Sequence, residues 1–93
     1  MTDRNDPYQI EWSASAKRAI VGLPDKVASA IIDFVYGPLA DNPQRVGRPL
    51  RWELEGLHAA RRGDYRIVYH VDTEGTVVVI EAVAHRSDVY RRR

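Results

Sequence analysis

Apolar and polar residues follow two different periods along the first half of the chain. Residues 8–12 alternate between apolar and polar side chains, which is typical of a short, half-buried strand. Apolar positions then recur at helical spacing over residues 14–23 and again over residues 25–37, and Pro24 separates the two stretches. Ser13 stands where an N-cap is needed. The pattern therefore predicts a strand followed by a helical hairpin, whose second helix ends near the Gly-Pro pair at 37–38.

The second half of the chain has the pattern of strands joined by turns. Residues 40–49 are rich in Pro, Gly and Asn and predict a loop, whereas residues 50–57 are ambiguous between a strand and irregular structure. Three strand-like stretches follow, with glycine-containing turns between them, at residues 57–61, 64–72 and 76–84. Consecutive strands joined by tight turns form an antiparallel meander, and residues 86–93 are left as a polar tail.

The order of these elements predicts an α+β fold in a single domain that spans residues 1–93. An N-terminal strand and a helical hairpin precede an antiparallel meander of three to four strands, and the helices cover one face of the sheet. Ninety-three residues are enough to bury a modest core without disulfide or metal support. The other face of the sheet is then available to a ligand.

Arg66 interrupts an apolar strand and is the first candidate for a functional residue. In the stretch 64–72, Tyr65, Ile67, Tyr69 and Val71 share one face by strand alternation, and Arg66 belongs to the other. The apolar set belongs against the helices, so Arg66 is expected on the uncovered face. A guanidinium fixed at such a position favours an anionic partner, and a phosphate matches its donor geometry.

Other candidates flank Arg66 along the chain. Arg61 lies on the opposite side of the hairpin turn, where it either completes a two-arginine clamp or is a solvated turn residue paired with a carboxylate. His85, Arg86 and Tyr90 follow the last strand. His85 is able to exchange a proton near neutral pH, and Tyr90 either stacks on a base or anchors the tail to the sheet.

Charge and composition narrow the class of function. The net charge is only +1, but residues 45–93 hold ten basic side chains, all of them arginine, whereas residues 1–44 hold four. This asymmetry favours an anionic partner, although a genome rich in arginine codons explains part of it. With no cysteine, no clustered metal ligands and no Gly-rich phosphate loop, we expect neither a metal nor a cofactor. We find no signal-peptide pattern or membrane-spanning run and expect a cytoplasmic protein without membrane contact.

Four short strings, in order along the chain, resemble the RelE/ParE superfamily of bacterial toxins, and RelE more than ParE. They are Gly-Arg-Pro-Leu-Arg at 47–51, Leu-Glu-Gly-Leu at 54–57, Arg-Arg-Gly-Asp-Tyr-Arg-Ile-Val-Tyr at 61–69 and His-Arg-Ser-Asp-Val-Tyr at 85–90. The resemblance implies the toxin of a type II toxin–antitoxin module. Such a toxin is a ribosome-dependent endoribonuclease that cuts mRNA in the A site by metal-free attack of a 2′-hydroxyl, leaving a cyclic phosphate.

The resemblance also implies roles for individual residues. Arg66 is expected to stabilise charge at phosphorus, Arg86 to act on the leaving group, and Tyr90 to stack on or orient the scissile nucleotide. Arg61 and His85 complete the expected catalytic set, and RNA binding is expected from Arg48, Arg51, His58 and Arg62. RelE-like toxins often carry further basic residues at the positions of Leu57 and Ala59, so the identity of the general base stays open.

The expected partners are a small RelB-like antitoxin, the ribosome with its A-site message, and operator DNA reached only through the antitoxin complex. We expect the antitoxin to lay an amphipathic helix over the apolar seams of the helical hairpin and sheet. Two alternatives remain on the same fold, because fold alone does not determine function. One is a ParE-type poison of DNA gyrase, and the other is a catalytically weak protein that only binds its antitoxin.

Overall fold

The computed structural model describes residues 7–50 and 56–87 and shows helices packed on one side of a five-stranded sheet. The predicted Tyr90 and Arg51 lie outside these residues. The elements in chain order are β1 (Gln9–Trp12), α1 (Ala14–Val21), α2 (Asp25–Phe34), a π-helical turn (Val35–Leu39), α3 (Pro43–Val46), β2 (Arg48–Pro49), β3 (Leu57–Arg62), β4 (Tyr65–Asp72) and β5 (Val77–His85).

The strands lie in the order β1-β5-β4-β3-β2. Strands β3, β4 and β5 form the predicted antiparallel meander, and β2 extends it as a fourth antiparallel strand. The first strand of the chain, β1, pairs in parallel with the last, β5, at the far edge of the sheet. The predicted α+β class, with an N-terminal strand, a helical hairpin and a meander, is confirmed.

The helical hairpin begins as the sequence predicts. The Ser13 side chain accepts a hydrogen bond from the backbone N–H of Ala16 at 3.0 Å, and its hydroxyl donates to the backbone carbonyl of Glu81 at 2.9 Å. One residue therefore caps α1 and ties it to β5. Pro24 occupies the N-cap of α2 and Asp25 its first turn, where a negative charge suits the positive end of the helix dipole.

The second helix does not end near Gly37 and Pro38 as predicted. It widens into the π-helical turn Val35–Leu39, which contains Pro38, and continues in helical form to residue 41. A proline inside a regular α-helix clashes with the carbonyl four residues earlier, and a wider turn is one way to accommodate it. Val35 and Leu39 are both fully buried, so packing against the core stabilises the widened turn.

The stretch 40–49 is also more regular than the predicted loop. Pro43 is the first residue of the short helix α3, a position that proline favours because its missing N–H has no helical partner there. The next proline, Pro49, lies in the two-residue edge strand β2, and edge strands tolerate proline. Pro43 and Pro49, which favour a loop in the sequence, thus begin a helix and lie in the edge strand of the sheet, respectively.

The core lies between the helices and one face of the sheet. Its fully buried side chains come from α1, α2, the π-helical turn and alternate positions of β4 and β5: Ala16, Ile31, Val35, Leu39, Ile67, Tyr69, Val78 and Ile80. The predicted inward set of β4 is confirmed, because Ile67 and Tyr69 are buried and Tyr65 and Val71 pack at the margin of this cluster. Arg66, Val68 and His70 therefore lie on the opposite side.

Candidate functional site

The side of the sheet that faces away from the helices is here called the open face. In the described part of the chain, no strand residue of this face is fully buried. The register of the strands assigns its residues in rows, because side chains of directly paired residues project on the same side. One row joins Arg61, Arg66 and Ala84, and the next joins Arg48, Ala59, Val68 and Ala82.

Arg61 and Arg66 are directly opposite each other on β3 and β4. The hairpin between them turns through Gly63 and Asp64, one residue later than predicted, and Gly63 has a φ of 63°. A left-handed glycine at the first position of a two-residue turn suits the twist of the flanking strands. This turn sets the register that brings the two guanidinium groups onto one face, as the sequence predicts.

Arg48 joins this pair from the edge strand β2. A groove of about 630 Å³ opens between β2, β3 and β4. Its lining combines three arginines with small and apolar residues: Val46, Gly47, Arg48, Pro49, Leu50, Ala59, Ala60, Arg61 and Arg66. The small and apolar residues form the floor of the groove, and the longer arginine side chains extend above it. An extended anion therefore has room to lie along this floor.

The electrostatics of this groove favour an anionic ligand. Among residues 7–50 and 56–87, no carboxylate lies within 4.0 Å of the guanidinium groups of Arg48, Arg61 or Arg66. Like charges placed directly opposite on neighbouring strands destabilise a sheet. A bound phosphate removes this repulsion and accepts bidentate hydrogen bonds from guanidinium groups. We call Arg48, Arg61 and Arg66 the arginine groove.

Arg86 lies at the end of β5, beside the same hairpin turn. Its backbone N–H donates to the carbonyl of Asp64 at 2.8 Å, and its Nε lies 3.7 Å from the Asp64 carboxylate. Both side chains are 68% exposed, so this ion pair is weak and leaves the guanidinium accessible. Arg86 is thus anchored to the turn that carries Arg61 and Arg66.

His85 is not brought together with the arginine groove. It pairs with Tyr65, and the two rings meet edge to face with centroids 5.1 Å apart, on the side of the sheet that holds the helices. The Nδ1 atom of His85 accepts a hydrogen bond from the backbone N–H of Ser87 at 3.1 Å and lies 2.9 Å from its hydroxyl. In the neutral form its proton is then on Nε2.

His58 and Arg62 also lie on the helix side of the sheet. His58 stacks on Tyr69 with ring centroids 5.6 Å apart, and its Nδ1 is buried without a partner among the described residues. Arg62 pairs with Tyr65 and lines a shallow groove against α2, together with Lys26. The structure therefore separates both residues from Arg61 and Arg66.

One open-face residue was not among the sequence candidates. His70 lies four positions after Arg66 on β4 and shares its face. Strand alternation in the sequence already assigns His70 and Arg66 to one side of β4. His70 was not selected as a candidate because, unlike His85, it has no arginine next to it.

The described residues hold no group of three His, Asp or Glu side chains placed to bind a metal ion. None of their helices has the length and apolar character to cross a membrane.

Comparison with known proteins gives a consistent result. Residues 10–90 match the sequence model of the family described as ParE toxin of type II toxin-antitoxin system, parDE. Toxin RelE from Mycobacterium tuberculosis is 52% identical over 91% of this chain and 88% of its own length. Toxin RelG from the same organism is 46% identical over 92% of this chain and 99% of its own length.

Solved structures show the same relationship. The toxin–antitoxin complex RelBE2 from Mycobacterium tuberculosis contains a chain that is 45% identical, with a TM-score of 0.82 over 88% of this chain and 94% of that one. The isolated RelE toxin of E. coli superposes with a TM-score of 0.70 at 23% identity, over 89% and 90% of the two chains, which shows the shared fold alone. The family match covers most of the sequence, and the relatives agree with it along nearly their whole length. The chain belongs to the RelE/ParE superfamily, the toxin components of type II toxin–antitoxin systems.

Proposed function

We propose that this toxin is an endoribonuclease that cuts mRNA in the A site of the ribosome. The observation that supports the proposal most directly is the arginine groove, where Arg61 and Arg66 face each other on the open side of the sheet beside Arg48. Relatives named RelE and RelG at about half identity point in the same direction. A protein acting on ribosomes works in the cytoplasm, and we propose that location.

The proposed reaction makes and breaks one bond each at phosphorus. The 2′-hydroxyl of the message gives up its proton to solvent and attacks the adjacent phosphate, while the bond to the 5′-oxygen of the next nucleotide breaks and that oxygen takes up a proton from solvent. The products are a 2′,3′-cyclic phosphate and a 5′-hydroxyl. Charge develops on the non-bridging oxygens in the transition state, and in this proposal Arg61 and Arg66, which pair across the hairpin, donate hydrogen bonds to them.

Arg86 has a different role in this proposal. A guanidinium does not give up its proton in a protein, so Arg86 stabilises the departing 5′-oxygen by charge and hydrogen bonding rather than by protonating it. Its anchor on Asp64 places it beside the hairpin turn that carries the other arginines. Tyr90 is proposed to stack on or orient the scissile nucleotide, and Arg51 to add to RNA binding.

Programmed ribosomes test the reaction class. We expect the purified toxin to cut a message at the A-site codon and to leave a cyclic phosphate, with activity lost in Arg66→Ala and Arg86→Ala. The matched control is Arg18→Ala, which removes an exposed arginine from α1 on the other side of the molecule. Inhibition of gyrase supercoiling with no cut message, the behaviour of a ParE-type poison, contradicts the proposal.

We further propose that the cognate antitoxin covers an apolar groove on the helix side of the toxin. The groove is lined by Trp12, Lys17, Ile20, Val21, Ile32 and Tyr36. Val21 is 84% exposed and Tyr36 54% exposed, and they are the exposed large apolar side chains of the described chain. RelBE2 is a toxin–antitoxin complex, so an antitoxin helix is the partner to which we assign this surface.

Val21→Asp tests this surface without disturbing the fold, because Val21 is already exposed. We expect antitoxin affinity to fall at least tenfold by calorimetry, since a carboxylate loses its hydration on entering an apolar contact and the neighbouring Lys17 compensates only part of this cost. Message cutting is expected to be unchanged. Ser15→Asp adds the same charge to the exposed side of α1 and is expected to leave affinity intact. Equal affinity for the wild type and Val21→Asp contradicts the assignment.

We also propose that operator DNA is contacted only by the toxin–antitoxin complex.

A further inference from the structure

His70 is the histidine that shares the open face with the arginine groove. Strand register places it in a row with Leu57 on β3 and Val79 on β5, whereas His58 and His85 pair with Tyr69 and Tyr65 on the helix side. The residue is partly exposed. An aromatic ring flanked by aliphatic side chains thus lies on the same surface as Arg66.

The separation between His70 and Arg66 defines what each side chain can contact. Four residues along a strand correspond to about 13 Å between their Cα atoms. This distance exceeds the size of a single phosphate group. The row between them holds Arg48 at the sheet edge, followed by Ala59, Val68 and Ala82, and these last three are too short to obstruct a ligand that lies across them. The open face therefore offers a cationic end, a low floor and an aromatic end.

The backbone around Gly56 limits where the His70 ring lies. Gly56 has a φ of 88°, and a Cβ built there would lie 3.0 Å from both Cδ2 and Nε2 of His70. The backbone N–H of Val71 donates to the Gly56 carbonyl at 3.4 Å, which attaches this glycine to β4. The ring thus packs beside bare backbone at the start of β3, and this contact restricts its position before any ligand binds.

We propose that His70 binds a nucleotide adjacent to the scissile phosphate by stacking its imidazole on the base. This inference rests on the proposed ribonuclease function and extends its substrate site beyond the arginines. Proteins that bind single-stranded RNA combine cationic groups that follow the phosphates with flat side chains on which bases stack. In this protein Arg48, Arg61 and Arg66 are the cationic groups, and His70 is the flat side chain. In this role His70 contributes to substrate binding and base preference, and the bond-breaking step is left to the arginines.

Binding and cutting are measured separately on programmed ribosomes. A message with a 2′-deoxyribose at the A-site codon lacks the attacking hydroxyl, so its affinity reports binding alone. We expect His70→Ala to weaken this affinity and to raise KM by about tenfold, a loss of the size that stacking on one base gives. The kcat is expected to stay within about twofold of the wild type. His70→Phe keeps a flat ring and is expected to restore both affinity and KM. Gln9→Ala, on the open face of β1, is the control.

The outcomes separate this inference from the function on which it rests. If the wild type binds the deoxy message but does not cut the normal one, the ribonuclease proposal fails and the affinities still test His70. Unchanged affinity and KM in His70→Ala overturn the inference. A loss of kcat in both His70→Ala and His70→Phe with KM unchanged also overturns the inference, because that result assigns proton transfer to His70 instead of stacking. Failure of the wild type to bind the deoxy message overturns the inference as well.

Discussion

Tyr69 connects the core of the sheet to the segment that carries Arg48. Its side chain is fully buried, and its hydroxyl donates a hydrogen bond of 2.6 Å to the backbone carbonyl of Pro43 in α3. Gly47 follows α3 and packs so tightly against the Tyr69 hydroxyl and the carbonyl of Ala59 that no side chain fits there. One buried hydroxyl thus positions the edge of the arginine groove.

Tyr69→Phe removes this hydroxyl and leaves the Pro43 carbonyl without its donor. We expect the free energy of unfolding to fall by about 1–3 kcal/mol, because an unsatisfied buried acceptor loses its full solvation. Urea denaturation measures the change. Tyr36→Phe is the control for loss of a hydroxyl, because the hydrogen bond that this hydroxyl accepts from Trp12 Nε1 is exposed to solvent, so its loss leaves no buried group unsatisfied. Equal stability of Tyr69→Phe and the wild type contradicts this account of Tyr69.

The same residue gives the protein a dependence on alkaline pH. Burial raises the pKa of Tyr69 to about 12, because the phenolate is poorly solvated in the core. An unfolded tyrosine loses its proton near pH 10, so between pH 10 and pH 12 only the folded chain holds it. This contribution to stability is complete below pH 10 and decreases by at most about 3 kcal/mol as the pH rises to 12. Denaturation of the wild type and Tyr69→Phe across this range isolates the effect, since the variant lacks it.

At the scale of elements, period-two alternation made the faces of the β3–β4 hairpin predictable, and with them the face of Arg66. Its register was not predicted, because the turn lies at residues 63–64 and not at 62–63, and the direct pairing of Arg61 with Arg66 depends on that observed turn. The β4–β5 pair shows where simple alternation fails. Ile80 and Ala82 pair with consecutive residues of β4, so Glu81 is an extra residue. This bulge shifts the inward positions of β5 and places His85 on the helix side, which a strictly alternating pattern does not reveal.

Substitution of two glycines by alanine tests the backbone conformation of these elements. Gly63 and Gly37 both have free space where a Cβ would be placed, but only Gly63 has a positive φ, of 63°. We expect Gly63→Ala to destabilise the protein by about 1–2 kcal/mol through the left-handed backbone. Gly37→Ala is expected to stabilise it by about 0.5–1 kcal/mol, because alanine has less freedom in the unfolded chain.

Thermal unfolding of the two glycine variants checks both signs in one experiment. Because neither position is crowded, the comparison isolates backbone conformation from packing. A Gly63→Ala protein as stable as Gly37→Ala contradicts the hairpin geometry, and with it the register that pairs Arg61 with Arg66.

At the scale of the whole molecule, the sheet separates two surfaces with different chemistry. Its open face holds the arginine groove and His70, and its helix side holds the core and the apolar groove around Val21. The toxin therefore presents a surface with three arginines and an apolar surface on different sides. An antitoxin helix on the apolar groove would leave the arginine groove uncovered.

The sequence predicted this division only in part. Alternation and charge asymmetry identified the arginines and the face of Arg66, and four short strings identified the superfamily. The helix side was less predictable, because the π-helical turn and α3 depend on how Pro38 and Pro43 pack against the core. Local patterns give no information about that packing.

The rate at which the toxin cuts a message on programmed ribosomes in a single turnover tests the central claim most directly. Arg66→Ala is expected to cut about 10²–10³ times more slowly than the wild type, the usual loss when one donor to a developing negative charge is removed. Arg18→Ala, matched in side chain and remote from the groove, is expected to cut within about twofold of the wild-type rate. Equal cleavage rates for Arg66→Ala and the wild type would contradict the claim that the arginine groove is the site of phosphodiester cleavage.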